Sequence, residues 1–302
     1  MFMIQEPQQL KEGSKVGILS TARKITLPEI LSSIQLYSSW GLNVVVGKTI
    51  SQSCNQFAGT DEQRTIDLQQ MLDDKEIKSI FCARGGYGSA RILDSVDFSS
   101  MKTNPKWVVG YSDVTALLMH LYYKYNVMSI HGTMPINIDD RKPCVAYESL
   151  KRVLFEGKNE INVPYNAMNI CGSAAGDLIG GNLSVLYSLL GSESFGETKD
   201  KILVIEDLDE YLYHIDRMLL ALKRANKLNV KALLVGQFTD LHDNDIPFGM
   251  DYKEIVVNMV KDYNIPVAFD VPIGHIGKEN HAFIHGKLAK VEISAEGTNI
   301  TQ

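Results

Sequence analysis

The chain is poor in sulfur chemistry, in positive charge and in long apolar runs. Its four cysteines, Cys54, Cys82, Cys144 and Cys171, stand far apart and form no CxxC pair. That spacing excludes a zinc ribbon or a disulfide framework and fits reduced thiols in a reducing compartment. Cys82, inside "SIFCARGG", reads as a small core residue. Lysine and arginine number 30 against 36 acidic residues, a formal net charge of -6 with no basic block. No electrostatic footprint for a nucleic-acid partner is left. No window approaches the roughly 20 apolar residues of a membrane helix, so no membrane partner is expected. The first residues, "MFMIQEPQQLKEG", turn polar by Gln5 without a basic stretch before an apolar one. No signal peptide is expected, and a cytoplasmic location is. No HExxH or HxxE pair comes with a suitable third ligand, so neither metal nor cofactor is expected.

What is present is ordinary globular material. The 302 residues, 45% of them hydrophobic, suffice for two domains or one large α/β domain with a real core. Apolar runs alternate with helical patterns. "KVGILSTA" is followed by a helix over about Pro28 to Trp40, then by "LNVVVG", another helix and "IKSIFCA". One more helix is expected before "KWVVGYSD", and a further one after it. Continuous apolar strands alternating with helices indicate a parallel sheet covered on both faces. Such sheets collect functional groups at the carboxyl ends of their strands. From about 135 to 175 the periodicity fades, apart from a short helix near Tyr147 to Phe155. The expected division is therefore residues 1–140, a passage over 141–172, and a second domain over 173–302. In the latter, "GDLIGGNLSVLYSLLG" reads as a glycine turn and a helix, and "KILVIEDLDE" and "VKALLVGQF" as strands. "PVAFDVPIGH" reads as a strand with a loop, and "HAFIHGKLAKVEIS" as closing antiparallel strands.

Three strand tips carry chemistry. In "WVVGYSDVTALLMH" the apolar Trp107, Val108 and Val109 run into Ser112 and Asp113, just where Val114, Leu117, Leu118 and Leu121 begin a helical spacing. Ser and Asp suit an N-cap; the same place suits a nucleophile on a tight strand-to-helix turn. A nucleophilic serine needs a base, and the base an orienting group. Of seven histidines, His120 and His214 sit in helical patterns, His242 lies in a polar loop, and His131 follows a strand and could face a site. His275, His281 and His285 share "VPIGHIGKENHAFIHG", where His275 follows a strand in a glycine-rich loop, placed to reach sideways. Glu206 is the first charge after four apolar residues, at a strand tip; Asp207, Asp209 and Glu210 are expected to face solvent or cap the next helix. "ARGGYGSARIL" is not a phosphate loop, since it fits neither GxxxxGK[ST] nor GxGxxG. Its paired glycines could bring bare amides to a reacting carbonyl. Tyr87 and Arg84 would then be wall residues, Arg84 able to grip a carboxylate with two hydrogen bonds.

The segments "ARGGYGSARIL", "GYSDVTALLMH", "IHGTMP", "GGNLSVL", "ILVIEDLDE" and "PIGHIGKENHAFIHG", in this order over nearly the whole length, resemble the LD-carboxypeptidase family of serine peptidases. That group includes the muramoyltetrapeptide carboxypeptidases and the microcin C immunity peptidases. The resemblance implies a triad of Ser112, Glu206 and His275 and an oxyanion hole from the amides of Gly86 and Asp113. It implies a Rossmann-like N-terminal domain, a smaller mixed α/β C-terminal domain, a site in the cleft between them and a homodimer. It implies a murein peptide substrate whose terminal D-alanine is released. Two alternatives stand beside it: an immunity-type peptidase cutting an acyl-nucleotide toxin, and a non-catalytic two-domain binding protein. The first should need an aromatic insertion to stack the base, and this chain has no obvious one, since Trp40 and Trp107 both sit in regular elements. The turn at Ser112 also lacks the second glycine of the α/β-hydrolase elbow, and the first strand ends in Ser20-Thr21-Ala22 where the family often has a proline-serine pair.

Overall fold

A computed structural model describes residues 4–140 and 142–302. The first half supplies β1 (Lys15–Leu19), α1 (Leu31–Ser39), β2 (Asn43–Val46), α2 (Asp61–Asp73), β3 (Ile77–Cys82), β4 (Trp107–Gly110), α3 (Thr115–His120) and β5 (Ser129–His131). After α4 (Val145–Glu156) and β6 (Glu160–Pro164) come β7 (Gly172–Asn182), α5 (Leu183–Ser188), β8 (Lys201–Leu208), α6 (Leu212–Arg224), β9 (Ala232–Thr239) and α7 (Tyr252–Val260). The chain closes with β10 (Val267–Ala268), β11 (Phe283–His285), β12 (Leu288–Ile293) and β13 (Gly297–Thr301).

Two sheets result. The first runs β11-β5-β4-β3-β1-β2, parallel except for β11, which lies antiparallel to β5. Its parallel part has the order 2-1-3-4-5, a doubly wound sheet whose ligand crevice opens between β1 and β3, where the strand order reverses. The alternation of the strands divides its core in two. Ile80, Cys82 and Val108 meet α2 and α3, whereas Phe81, Trp107 and Val109 meet α1 and α4. The second sheet runs β10-β9-β8-β7-β12-β13-β6, parallel from β7 to β10 and antiparallel beyond. The core below α3 continues through α5 into Ile179, Leu203 and Ile205 of this sheet, so one apolar layer joins both halves.

Two local expectations are corrected. Gly180 and Gly181 do not form a turn but lie inside β7, at φ +113° and +141°. A Cβ on Gly180 would sit 2.1 Å from the Val204 carbonyl oxygen, so glycine is required by the close approach of β8. The segment between β3 and β4 holds short 3₁₀ turns, Ser89–Ile92 and Ser99–Lys102, in place of an α-helix. The Asp97 side chain takes the Ser99 amide and hydroxyl, a local bond that competes with helical pairing.

Candidate active site

The carboxyl tips of β1, β3, β4 and β8 face one cleft of about 530 Å³, whose lining includes Arg23, Arg84 to Tyr87, Tyr111, Ser112, Asn137, Asp209, Glu210 and His275. A larger groove of about 670 Å³ lies at the opposite, amino ends of the first sheet. Its Lys15 is tied to Asp74 and Glu76, and its lining holds no nucleophile paired with a base.

Ser112 sits at the end of β4 with φ +62°, a left-handed conformation that non-glycine residues rarely adopt. A single 3₁₀ turn, Ser112–Val114, then leads into α3. The strain thrusts a half-buried serine out of the strand tip toward the glycine loop. A Cβ on Gly85 would lie 3.1 Å from the Ser112 hydroxyl, so loop and side chain are in contact.

Asp113 does not cap its own helix. Its carboxylate is buried and reaches across the cleft floor, accepting the Gly88 amide at 3.2 Å and the Ser89 amide at 2.8 Å. Burial raises its pKa above the ordinary carboxylate value, against the pull of those amides and of Arg64. Arg64, wholly buried, donates from Nη1 to the Gly88 carbonyl at 2.9 Å and to the Thr21 carbonyl, while the Thr21 and Ser89 hydroxyls meet at 2.6 Å. The loops after β1, β3 and β4 are thus tied into one buried polar network.

From the other sheet, Glu206 projects at the end of β8, fully buried, with Oε2 2.7 Å from His275 Nδ1. Burial alone would lower the His275 pKa, but the Glu206 hydrogen bond and charge outweigh it and raise the pKa above 6.5. The Tyr111 ring stands 4.9 Å from the imidazole, and its hydroxyl donates to Asn137 Oδ1 at 3.2 Å. Ser112, Gly86 and His275 therefore line one space, with Glu206 behind the histidine.

The neighbours fall out variously. Asp207 is buried rather than solvated; it accepts from Asn182 Nδ2 and the Ser184 amide, capping α5 instead of α6. Burial, with Glu206 beside it, pushes its carboxyl up to about 7. Asp209 and Glu210 line the cleft, Asp209 held by His242 at 2.7 Å and Glu210 by His214. His131 is buried behind the site, stacked on Phe283 with ring centroids 4.7 Å apart. His285 accepts the Gly180 amide, His120 pairs with Ser194, and neither lines the cleft. Arg84 lines the cleft but donates from Nη1 to the Lys24 carbonyl at 3.2 Å; Tyr87 is half-exposed at the rim. Arg23 and Asn137 also line it without having been singled out by sequence. Arg23 could have been found, since it follows β1 at the same sheet edge.

Comparison with known proteins decides the family. The LD-carboxypeptidase N-terminal domain model matches residues 16–132 and the LD-carboxypeptidase C-terminal domain model matches residues 175–291. The chain belongs to the LD-carboxypeptidase family. It is 34% identical over 280 residues to a protein of Bacillus subtilis named "Probable murein peptide carboxypeptidase", covering 89% of this chain and 86% of that one. Its fold is that of the muramoyltetrapeptide carboxypeptidase of Oxalobacter formigenes, with TM-score 0.86, 24% identity, and 95% of this chain and 98% of that one covered. The microcin C7 self immunity protein MccF, solved with glutamyl sulfamoyl guanosine, shares the fold as closely: TM-score 0.86, 21% identity, 98% of both chains covered. A family of this kind makes the chain a peptidase, a hydrolase with a two-domain α/β architecture.

Proposed function

We propose that this chain is a serine carboxypeptidase that releases the terminal D-alanine of murein tetrapeptides, cutting the bond that joins it to the L-centre of a diamino acid. The observation that carries the reading is the 2.7 Å bond between buried Glu206 and His275, in the cleft that Ser112 also lines. In this mechanism the Ser112 hydroxyl attacks the scissile carbonyl as His275 takes its proton. The amides of Gly86 and Asp113 hold the oxyanion, and Glu206 keeps Nδ1–H in place and stabilises the imidazolium. Collapse breaks the C–N bond; His275 returns the proton to the leaving amine of D-alanine. Water, deprotonated by the same histidine, then frees Ser112 from the acyl group. Arg84 and Tyr87 serve as walls for the peptide. In the same reading the enzyme acts in the cytoplasm as a homodimer. Among the described residues no helix is long and apolar enough to cross a membrane, and sedimentation and cell fractionation test the rest.

Purified protein should release alanine from a tetrapeptide and leave the tripeptide and pentapeptide intact, as read by mass spectrometry. An active-site serine reagent should label Ser112. Absence of both overturns the reading in favour of a binding protein, and cleavage of an acyl-sulfamoyl nucleotide with no action on tetrapeptide overturns it in favour of an immunity peptidase.

A further inference from the structure

We propose that Arg23, in the loop after β1, reads the free carboxylate at the end of the substrate and so restricts the enzyme to terminal residues. The proposal rests on the peptidase reading of the cleft given above. A terminal carboxylate lies one residue, roughly 3.8 Å, beyond the scissile carbonyl. Whatever receives it must therefore sit against the oxyanion loop, and it must be cationic, because a carboxylate taken out of water without a partner is costly.

Arg23 and Arg84 are the two guanidinium groups that line the cleft. Arg84 is turned back: its Nη1 is engaged by the Lys24 carbonyl, and it also walls a separate depression of about 370 Å³ with Lys24, Glu29 and Gln52. Arg23 lies on the oxyanion loop itself. A Cβ on Gly86 would be 2.3 Å from Arg23 Cδ, 2.7 Å from Cγ and 3.1 Å from Nε. The stem is thus laid flat on the glycine whose amide the proposed mechanism assigns to the oxyanion, a position that φ +108° already reserves for glycine. Among the described residues Arg23 forms no ion pair, whereas Arg64 and Arg91 are both committed to Asp61. The wall contributed by the second sheet carries Asp209 and Glu210, whose charge disfavours a carboxylate on that side. The planar fork of Arg23 can take both carboxylate oxygens at once.

The test compares kcat/KM on a tetrapeptide with a free C-terminus and on the same peptide amidated, for the native protein, Arg23→Ala, Arg23→Lys and Arg84→Ala. The native protein should prefer the acid by about 10- to 100-fold, the size of a hydrogen bond to a charged group. Arg23→Ala should lose that preference by slowing on the acid alone, Arg23→Lys should keep part of it, and Arg84→Ala should retain it. Arg23 is exposed, and the acid-to-amide ratio is internal to each variant, so a small loss of folded protein does not mimic the result. A native preference that survives in Arg23→Ala overturns the assignment while leaving the peptidase reading intact. A native protein that acts on neither peptide overturns the peptidase reading, and this assignment with it.

Discussion

Ser112 is held in a backbone conformation that costs an L-residue about 1–2 kcal/mol, and the buried network beneath it keeps it there. Such strain fits a residue whose side chain must leave the strand direction to reach a substrate. Ser112→Ala should therefore fold normally and lose on the order of 10³-fold or more in turnover; a folded variant with most of its activity would remove Ser112 from the mechanism. Glu206→Gln should cost less than the serine change but still orders of magnitude, because His275 loses its charged partner. The acid limb of the pH profile carries a second expectation. His275 must be neutral to accept a proton, and its pKa is raised by Glu206 over the opposing effect of burial. Activity should thus fall as pH drops through a value above 6.5, and Glu206→Gln should move that limb to lower pH. A limb that stays where it is in the variant would mean another group controls it.

At the scale of elements, the loops after β1, β3 and β4 are functional only as a set, and Asp113 is what binds two of them. Asp113→Asn preserves shape but puts an NH2 where one of the Gly88 and Ser89 amides now finds an acceptor. The Gly86 amide should shift, and kcat should fall by about 100-fold, the scale of a lost oxyanion donor. Affinity for a competitive product should change far less. Equal losses in kcat and in product affinity would assign Asp113 a role in binding instead. This network also marks the limit of what the amino-acid order reveals. Periodicity alone separates β3, β4, β8 and α3, because burial on two faces or one leaves a direct imprint on apolar spacing. The strand-end positions of Ser112 and Glu206 are legible for the same reason, whereas His275 stands in a loop seven residues past β10. It does not reveal that Asp113 turns toward another loop, since capping and bridging draw on the same residue type. Nor does it separate Gly180-Gly181 within a strand from a glycine turn, because the deciding contact comes from β8, more than 20 residues away.

For the whole molecule, the seam between the sheets carries buried imidazoles. His131 is fully buried, neither ring nitrogen has a partner among the described residues, and burial, with His285 and His275 nearby, depresses its pKa to about 3. The unfolded chain binds a proton there below about 6.5 and the folded one does not until about 3. Stability from this group is complete above 6.5 and declines as pH falls between those values. His131→Leu, which cannot titrate, should flatten the dependence of melting temperature on pH across that window by one proton's worth. An unchanged slope would show that His131 is protonated in the fold or that other groups dominate.

The pairing of β11 with β5 has a consequence in time as well as in space. β5 ends at His131, but its partner, Phe283–His285, is made about 150 residues later. At about 5–20 residues per second, a growing chain waits roughly 8 to 30 s with the edge of its first sheet uncovered. During that interval Ser112 and its glycine loop are already synthesised, whereas Glu206 comes midway and His275 only a few residues before the closing strand. If Ser112 is the nucleophile and His275 its base, as proposed, the nucleophile exists for about 160 residues of synthesis without its base, and the segment that delivers the base also seals the sheet. A ribosome-bound chain stalled before residue 275 should carry Ser112 yet leave a serine reagent unreacted. Activation in this reading waits for the segment that brings His275, so the cell is spared a half-built hydrolase.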